Sequence, residues 1–317
     1  MTLLFYDPLM LEHETGTHPE RPQRLLEVAR HLERSGLDRQ CQRPSWEPAS
    51  IDHLALVHER AYIEAVAEFA RRGGGLIELD TLCSERSFDV ARVAAGAVCE
   101  AVTRVVQGAD SQALCLVRPP GHHALANGPM GFCLFNSVAV GCRVAIDELK
   151  LNRVLIVDWD VHHGNGTQDA FWTEPRVGFL SIHRWPFYPG TGRSDETGSG
   201  AAVGTKRNIP VEFGTSRKDY QDLLRRGLEQ LASKIQPELV LVSAGFDSHR
   251  DDPVGSLGLE TEDFVAITDA VLDIAEEYAG GRIVSVLEGG YNASVLAGCI
   301  EVHLRTLLAR SHGRTPD

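Results

Sequence analysis

The segment 153–169, RVLIVDWDVHHGNGTQD, constrains the fold of this chain more than any other stretch. It begins with four aliphatic residues, VLIV, a composition typical of a strand that is buried on both faces of a parallel sheet. Asp158, Asp160 and His162 then follow at alternate positions, and alternate side chains of an extended chain point to the same side. Residues 164–167, GNGT, come next, and they favour a tight turn into a helix. The segment therefore predicts a strand, a polar bend and the start of a helix.

Two carboxylates and an imidazole beyond a buried strand are costly without a partner, because a buried charge needs an opposite charge or hydrogen bonds. A divalent cation is the partner that Asp and His side chains share. Solvated loop residues at a strand end are the alternative interpretation, and this segment favours metal binding over it. The residues that follow the other strands must decide between these two interpretations, because ligands of open parallel sheets bind at the carboxyl edge.

Length and composition allow one large α/β domain or two smaller ones, since 43% of the 317 residues are hydrophobic and 24% are charged. No apolar run approaches the roughly 18 residues that span a bilayer, and the N-terminus lacks a signal-peptide pattern. We therefore expect a cytoplasmic protein without membrane contact. The net charge of −13 argues against nucleic acid as a partner and is compatible with cationic substrates. The seven cysteines form no Cys-x-x-Cys pair, so we expect small buried thiols.

Strand and helix patterns alternate along the chain, which predicts a parallel sheet covered by helices on both faces. The strand patterns lie at 3–6, 114–117, 154–157, 177–182, 205–211, 239–243 and 282–287. The helical patterns lie at 23–34, 51–57, 61–71, 88–106, 135–149, 217–235, 261–278 and 293–308. The glycine run at 72–75 is predicted to be a break. No linker or repeat interrupts the pattern, so we expect a single α/β domain over residues 1–317.

Reactive side chains follow four of these strand patterns at their carboxyl ends, and chance would scatter them over both edges. Asp160, His162 and Asp247 form a set of two carboxylates and one imidazole. Such a set leaves an open position for water on a bound divalent ion, as catalytic zinc sites require. We expect Asp158 to hold a histidine or a monovalent cation instead.

Three further residues at this edge suit acid–base and electrophilic roles. His122 and His123 are candidates for general acid–base catalysis, although a histidine pair is often only a loop feature. Tyr291, between glycines and a polar loop, could donate a hydrogen bond to a polarised carbonyl oxygen, and a core tyrosine is the alternative. A metal ion, a base and an oxyanion donor together indicate hydrolysis of an acyl bond.

Five motifs, in this order, resemble those of the zinc-dependent histone deacetylase superfamily and are most similar to its class II branch and its bacterial-type amidohydrolases. They are RPPGHHA at 118–124, GFCLFNSVA at 131–139, DWDVHHGNGTQ at 158–168, SAGFDSHRDDPVG at 243–255 and LEGGYN at 287–292. The resemblance covers nearly the whole chain. It implies an arginase- and deacetylase-like three-layer fold with a central, mainly parallel sheet flanked by helices. It also implies hydrolysis of the amide of an Nε-acylated lysine or a similar amine.

The resemblance further implies a metal centre with one catalytic Zn2+ ion. By motif position, its ligands would be Asp160, His162 and Asp247, and zinc-activated water would attack the acyl carbonyl. Tyr291 would polarise that carbonyl. A structural K+ ion is also implied, with side-chain and main-chain oxygens from Asp158, Asp160, His162 and Ser181.

The same motifs imply how the histidine pair and the substrate tunnel are built. His122 and His123 would be oriented by Asp158 and by Asn165, which stands where other branches carry an aspartate. Arg24 would lie near an acetate exit. The tunnel residues would be Gly131, Phe132, Tyr188, Val254 and Gly290.

Several alternatives remain open at this stage. The resemblance extends to acetylpolyamine amidohydrolases, so the partner could be an acyl-lysine protein or peptide, or a small acylated amine. Val254 favours the first, because polyamine-specific members carry an acidic residue there. A binuclear manganese ureohydrolase would need a second acid where this chain has His249. A non-catalytic acyl-lysine binding module would have no need of His122, His123 and Tyr291. The sequence gives no oligomeric state.

Overall fold

A seven-stranded sheet forms the centre of the computed structural model, which describes residues 2–311. All six strand pairings in this sheet are parallel, and the strand order is β1-β4-β9-β8-β5-β6-β7. The strands are β1 (Leu3–Phe5), β4 (Gln112–Cys115), β5 (Val154–Asp158), β6 (Val177–Arg184), β7 (Lys206–Val211), β8 (Leu239–Ala244) and β9 (Ile283–Leu287). The predicted parallel sheet and single α/β domain are confirmed.

The central strands are aliphatic without alternation because helices cover both faces of the sheet. Every residue of β5, β8 and β9 is buried. The helices are α1 (Gln23–Ser35), α2 (Ile51–Leu54), α3 (Arg60–Arg71), α4 (Ser87–Val106), α5 (Ser137–Arg143), α6 (Asn165–Ala170), α7 (Arg217–Ile235), α8 (Asp263–Ala279) and α9 (Ala293–Ser311). One group, α7-α8-α9-α1, packs side by side, while α4 and α5 pack against each other.

Local predictions differ from the structure at several places, and the predicted helix at 51–57, for example, already ends at Leu54. The glycine run begins a two-stranded antiparallel hairpin, β2 (Gly74–Glu78) and β3 (Thr81–Ser84), in place of the predicted break. The predicted strand at 114–117 begins two residues earlier, because β4 pairs with β1 in the register Leu3 to Ala113. The predicted helix at 135–149 begins only after Asn136, whose side chain caps α5 by accepting from the Ala139 N–H, and it ends in a π-helical turn.

No helix within residues 2–311 is long and apolar enough to cross a membrane. The expected cytoplasmic location stays a prediction. Six of the seven cysteines are buried and Cys41 is half-buried, so the expectation of small buried thiols holds for all but one. Residues 1 and 312–317, which the predicted domain includes, lie outside the described residues.

Candidate active site and metal centre

Four neighbouring strands bring the predicted site residues together. The strands are neighbours in the order β4-β9-β8-β5. The segment after β4 carries His122 and His123, and the segment after β9 carries Tyr291. The segment after β8 carries Asp247, and the last site segment begins at Asp158, the end of β5. Because these strands are parallel and adjacent, their polar extensions meet at one edge of the sheet.

Asp160, His162 and Asp247 lie together in the interior of the protein. Nδ1 of His162 is 3.0 Å from Oδ1 of Asp160 and 3.1 Å from Oδ2 of Asp247. The three ligand atoms lie within 4.8 Å of one another, and all three residues are buried. Two atoms bound to one tetrahedral ion at about 2.0 Å are separated by about 3.3 Å, so these spacings suit a single divalent ion.

The surroundings of the two carboxylates also fit a cation. Oδ2 of Asp247 is buried, and apart from the His162 Nδ1 atom 3.1 Å away it has no polar partner among the described residues, although an incompletely satisfied buried carboxylate is costly. Burial, together with the charge of Asp160, raises the pKa of Asp247 to about 7. A side chain at Gly289 would collide with both carboxylates, so glycine keeps this space open. These residues could therefore hold a divalent metal ion.

The two adjacent histidines have different partners. Nδ1 of His122 is 2.9 Å from Oδ2 of Asp158, and Nδ1 of His123 is 2.7 Å from the amide oxygen of Asn165. Burial alone would lower the pKa of His122, but the nearby aspartates Asp158 and Asp160 outweigh it and raise this pKa well above its usual value. Burial, followed by the positive charges of His122 and His162, holds the pKa of His123 well below its usual value. The pair therefore consists of two chemically different imidazoles.

Glu288 is a component of this site to which the sequence analysis gave no role. Its Oε2 atom accepts hydrogen bonds from the backbone N–H groups of Gly121, at 2.6 Å, and His122, at 3.2 Å. The residue is buried, and burial raises its pKa to about 7. An acidic residue directly after a buried strand was the available sequence signal. Glu288 fixes the backbone that carries the histidine pair.

Tyr291 is almost fully buried, and its ring lies between two neighbours. The ring of Phe132 meets it edge-on at 5.5 Å, and the guanidinium of Arg24 lies 4.8 Å from its centroid. Burial raises the pKa of Tyr291 well above its usual value, so the phenol keeps its proton. The Tyr291 N–H donates to Asp252 at 2.6 Å, which anchors the segment after β9.

A cavity of about 270 Å³ opens beside these residues. The cavity is lined by predicted tunnel residues and by side chains of the candidate metal centre and its neighbours. Asp80 and Phe187 also line it, and neither was predicted from the sequence. Gly290 is not part of the lining, because its carbonyl oxygen accepts from Arg24 and its Cα faces Leu296. The lining residues are Asp80, His123, Gly131, Phe132, His162, Phe187, Tyr188, Val254 and Tyr291.

The β2–β3 hairpin holds one wall of this cavity. Asp80 accepts a hydrogen bond from the Gly131 N–H at 3.2 Å, and Thr81 accepts one from the Phe132 N–H at 3.1 Å. Both 131 and 132 have positive φ, and a side chain at 131 would collide with the ring of His123. A non-glycine residue in this conformation is strained, so the hairpin contacts maintain Phe132 at the wall.

Two of the residues predicted to bind a monovalent cation, Asp158 and Ser181, are neighbours in the sheet. Ser181 on β6 pairs with Asp158 on β5, and the Ser181 hydroxyl lies 2.9 Å from Nδ1 of His183. Oδ1 of Asp158 accepts a hydrogen bond from the Asp160 N–H at 3.1 Å, so the backbone directly after β5 turns towards this carboxylate.

Arg24 is buried and reaches the segment that carries Tyr291. Its guanidinium donates to the carbonyl oxygens of Glu288 and Gly290 and to the carboxylate of Glu20. Glu20 also receives two hydrogen bonds from Arg118. This network joins the loop before α1 to the ends of β4 and β9.

The remaining histidines do not join the set of metal-type ligands. His163 contacts Thr191 and Gln168, as expected for a side chain directed away from His162. His183 and His249 also follow or end strands at this edge, but neither lines the cavity. His312 lies outside the described residues.

Comparisons with known proteins agree with this arrangement. The histone deacetylase domain matches residues 18–307. Histone deacetylase 10, chloroplastic, of Oryza sativa subsp. japonica is 35% identical over 96% of this chain and 73% of its own length. The histone deacetylase-like amidohydrolase of Pseudomonas aeruginosa is 34% identical over 94% of this chain and 83% of its own length. The crystal structure of the HDA15 HD domain superposes with a TM-score of 0.91 and 35% identity, covering 97% of this chain and 89% of that one.

The fold and these relatives define an enzyme of the deacetylase and amidohydrolase class, that is, a hydrolase. The chain belongs to the histone deacetylase family. The family resemblance and the fold expected from the sequence are thereby confirmed.

Proposed function

We propose that this protein is a zinc-dependent deacylase that removes acetyl or longer acyl groups from the side-chain amine of acyl-lysine in proteins or peptides. The observation that carries the proposal is that His123, His162 and Tyr291 line one cavity. A base, a metal ligand and a phenol donor can thus reach the same acyl group.

The proposed Zn2+ ligands are Asp160, His162 and Asp247, and their spacing and burial support this assignment. When bound, the ion would supply a Lewis acid for the acyl oxygen and for water. Ferrous or cobalt ions suit the same ligands, so zinc itself must be tested.

We assign proton transfer to His123, because it lines the cavity and His122 does not. The amide oxygen of Asn165 can only accept at Nδ1 of His123, which places the proton on Nδ1 and leaves Nε2 free as a base. His123 Nε2 accepts the proton of the attacking water and then donates it to the departing amine. His122, held by Asp158, supplies positive charge beside the reaction.

The Tyr291 hydroxyl is assigned to the acyl oxygen, because it remains protonated and Tyr291 lines the cavity. It would donate a hydrogen bond that strengthens as negative charge develops on that oxygen. Phe132 and Tyr188 would enclose the lysine stem between aromatic rings.

The proposal includes a structural K+ site. Asp158, Asp160, His162 and Ser181 would supply its oxygens, and the pairing of Asp158 with Ser181 supports this set. K+ would neutralise charge next to the histidine pair.

A second candidate substrate is an N-acetylpolyamine. Asp80 places a carboxylate in the cavity lining, and a carboxylate there could bind the free amine of a small cationic substrate. The apolar Val254 in the same lining favours acyl-lysine instead.

A matched substrate panel tests the proposal. Zinc-loaded enzyme is assayed with acetyl-lysine peptides, longer acyl-lysine peptides and N-acetylated putrescine and spermidine. We expect turnover of the peptides, its loss in Asp247→Ala, and its retention in the control Asp222→Ala on α7. Turnover of the polyamines alone would replace the proposal by the second candidate. A folded enzyme without turnover of any member would contradict both.

A further inference from the structure

A basic cavity lies away from the proposed active site, at the amino end of β7. It has a volume of about 290 Å³ and lies between β7, the last turns of α7 and the loop 185–205. Three of its lining residues are cations and none is an acid, although the chain carries a net charge of −13. The lining residues are Ser194, Thr197, Gly204, Lys206, Arg207, Asn208, Gln230, Leu231 and Lys234.

Arg207 has no counter-ion in this cavity. Its guanidinium makes no ion pair with any of residues 2–311, and its buried Nε has no hydrogen-bond partner there. Buried polar groups of proteins are nearly always satisfied, so this unused donor on a cation is free to bind an acceptor from outside the chain.

The two lysines of the cavity contact only neutral oxygens. Nζ of the buried Lys206 donates to the Val177 carbonyl and the Thr205 hydroxyl, each at 2.7 Å, and burial lowers the pKa of Lys206 to about 8. Nζ of Lys234 donates to the Gly204 carbonyl at 3.0 Å. Neither lysine forms an ion pair with a carboxylate among the described residues, and for Lys206 the charge of Glu174 only partly offsets the effect of burial on the pKa.

The nearby carboxylates are already engaged elsewhere. Asp195 pairs with Arg193. Glu196 accepts hydrogen bonds from the Gln168 side chain and from the backbone N–H groups of Gly192 and Arg193. The loop 185–205 therefore brings hydroxyl donors, from Ser194 and Thr197, but no free acid to the cavity.

We propose that this cavity binds a small multivalent oxyanion, namely phosphate or the phosphate group of a small metabolite. Phosphate offers several acceptors to the guanidinium of Arg207 and the ammonium of Lys234, and such charge-assisted hydrogen bonds are the strong ones. The volume is at the small end of ligand pockets, which excludes large cofactors. The inference does not depend on the substrate proposed above.

Binding is measured on the zinc-loaded full chain by calorimetry and by thermal unfolding with inorganic phosphate and with glycerol phosphate, against chloride of equal ionic strength. We expect a saturable heat and a saturable rise in Tm. Arg207→Gln and Lys234→Gln should each weaken binding by about tenfold or more, since a charged hydrogen bond is lost. The control Arg226→Gln removes the same charge from an exposed position of α7 and should bind as the wild type does.

Tighter binding of inorganic phosphate would identify the free anion as the ligand, and tighter binding of glycerol phosphate would identify a phosphate ester. A heat or a change in Tm that does not saturate and that equals the one with chloride would mean an adventitious ion only, and it would overturn the proposal. So would unchanged affinity in both folded cavity variants.

Discussion

The Nδ1 atom of His123 lies 2.7 Å from the amide oxygen of Asn165. The neighbouring His122 instead faces the carboxylate of Asp158 at 2.9 Å. A neutral acceptor fixes the ring of His123 and stabilises its protonated form less than a carboxylate would. Burial and the positive charges of His122 and His162 therefore keep His123 a weaker base than His122, because the amide of Asn165 opposes them only weakly.

The substitution Asn165→Asp should raise the pKa of His123, because the new carboxylate stabilises the imidazolium. His123 acts as a base only when neutral, so the acidic limb of kcat/KM against pH should move to higher pH by about one unit or more. The exposed Asn127→Asp adds the same charge elsewhere and should leave the profile unchanged. An unmoved acidic limb in Asn165→Asp would show that another group accepts the proton.

Tyr291→Phe should reduce kcat by about a hundredfold, because one positioned donor to the acyl oxygen contributes about 3 kcal/mol. The ring contacts with Phe132 and Arg24 remain, so Tm should change little. Tyr188→Phe is the matched control, since it removes a hydroxyl from another tyrosine of the same cavity. Wild-type kcat in Tyr291→Phe would remove the phenol from the mechanism.

The sequence predicts where strands end but not which strands are neighbours. The change from VLIV to Asp158 marks the end of β5 because a buried strand cannot continue into charged residues. The convergence of the site residues depends on the order β4-β9-β8-β5, which comes from long-range pairing. The common rule for parallel sheets, that ligands bind at the carboxyl edge, and the five motifs along the chain made the site predictable.

The missed residues depend on contacts between distant parts of the chain. Asp80 and Thr81 support the cavity wall through hydrogen bonds to Gly131 and Phe132, about fifty positions away. The glycines at the start of the hairpin indicate a break by local propensity, and the pairing of β2 with β3 overrides it. Glu288 similarly acts on Gly121 across the sheet, and no local pattern specifies this partner.

Removal of the metal should abolish turnover and lower stability. Without an ion, the buried carboxylates of Asp160 and Asp247 repel each other. A metal ion present at a thousand times its Kd would stabilise the folded state by about 4 kcal/mol, and this stabilisation is lost on its removal. Dialysis against a chelator, followed by separate addition of zinc, cobalt and ferrous ions, measures activity and Tm for each form. Full turnover by the metal-free protein would disprove the metal-dependent mechanism.

His303 should make the protein less stable in acid. It is fully buried between Thr268 and Ser285, and burial lowers its pKa to about 3. Between pH of about 6.5 and 3, the unfolded chain binds a proton that the folded chain excludes, so the free energy of unfolding falls as pH falls. This histidine contributes a slope of up to about 1.4 kcal/mol per pH unit.

Urea unfolding at several pH values measures this slope. His303→Gln can keep polar contacts with both hydroxyls but does not titrate, so its slope should be smaller than that of the wild type. His53→Gln makes the same exchange at a partly exposed position and provides the control. Equal slopes for wild type and His303→Gln would show that other groups cause the acid sensitivity.

Glu288 should act by positioning the histidine pair. Glu288→Ala leaves the buried N–H groups of Gly121 and His122 without their acceptor, and each unsatisfied group costs about 1–3 kcal/mol. We expect a lower Tm and a lower kcat with little change in KM, because Glu288 is not part of the cavity lining. Glu288→Gln retains one oxygen that can accept both hydrogen bonds, so it should restore most of the kcat. A rise in KM without a fall in kcat would contradict this role, since it would place Glu288 in substrate binding.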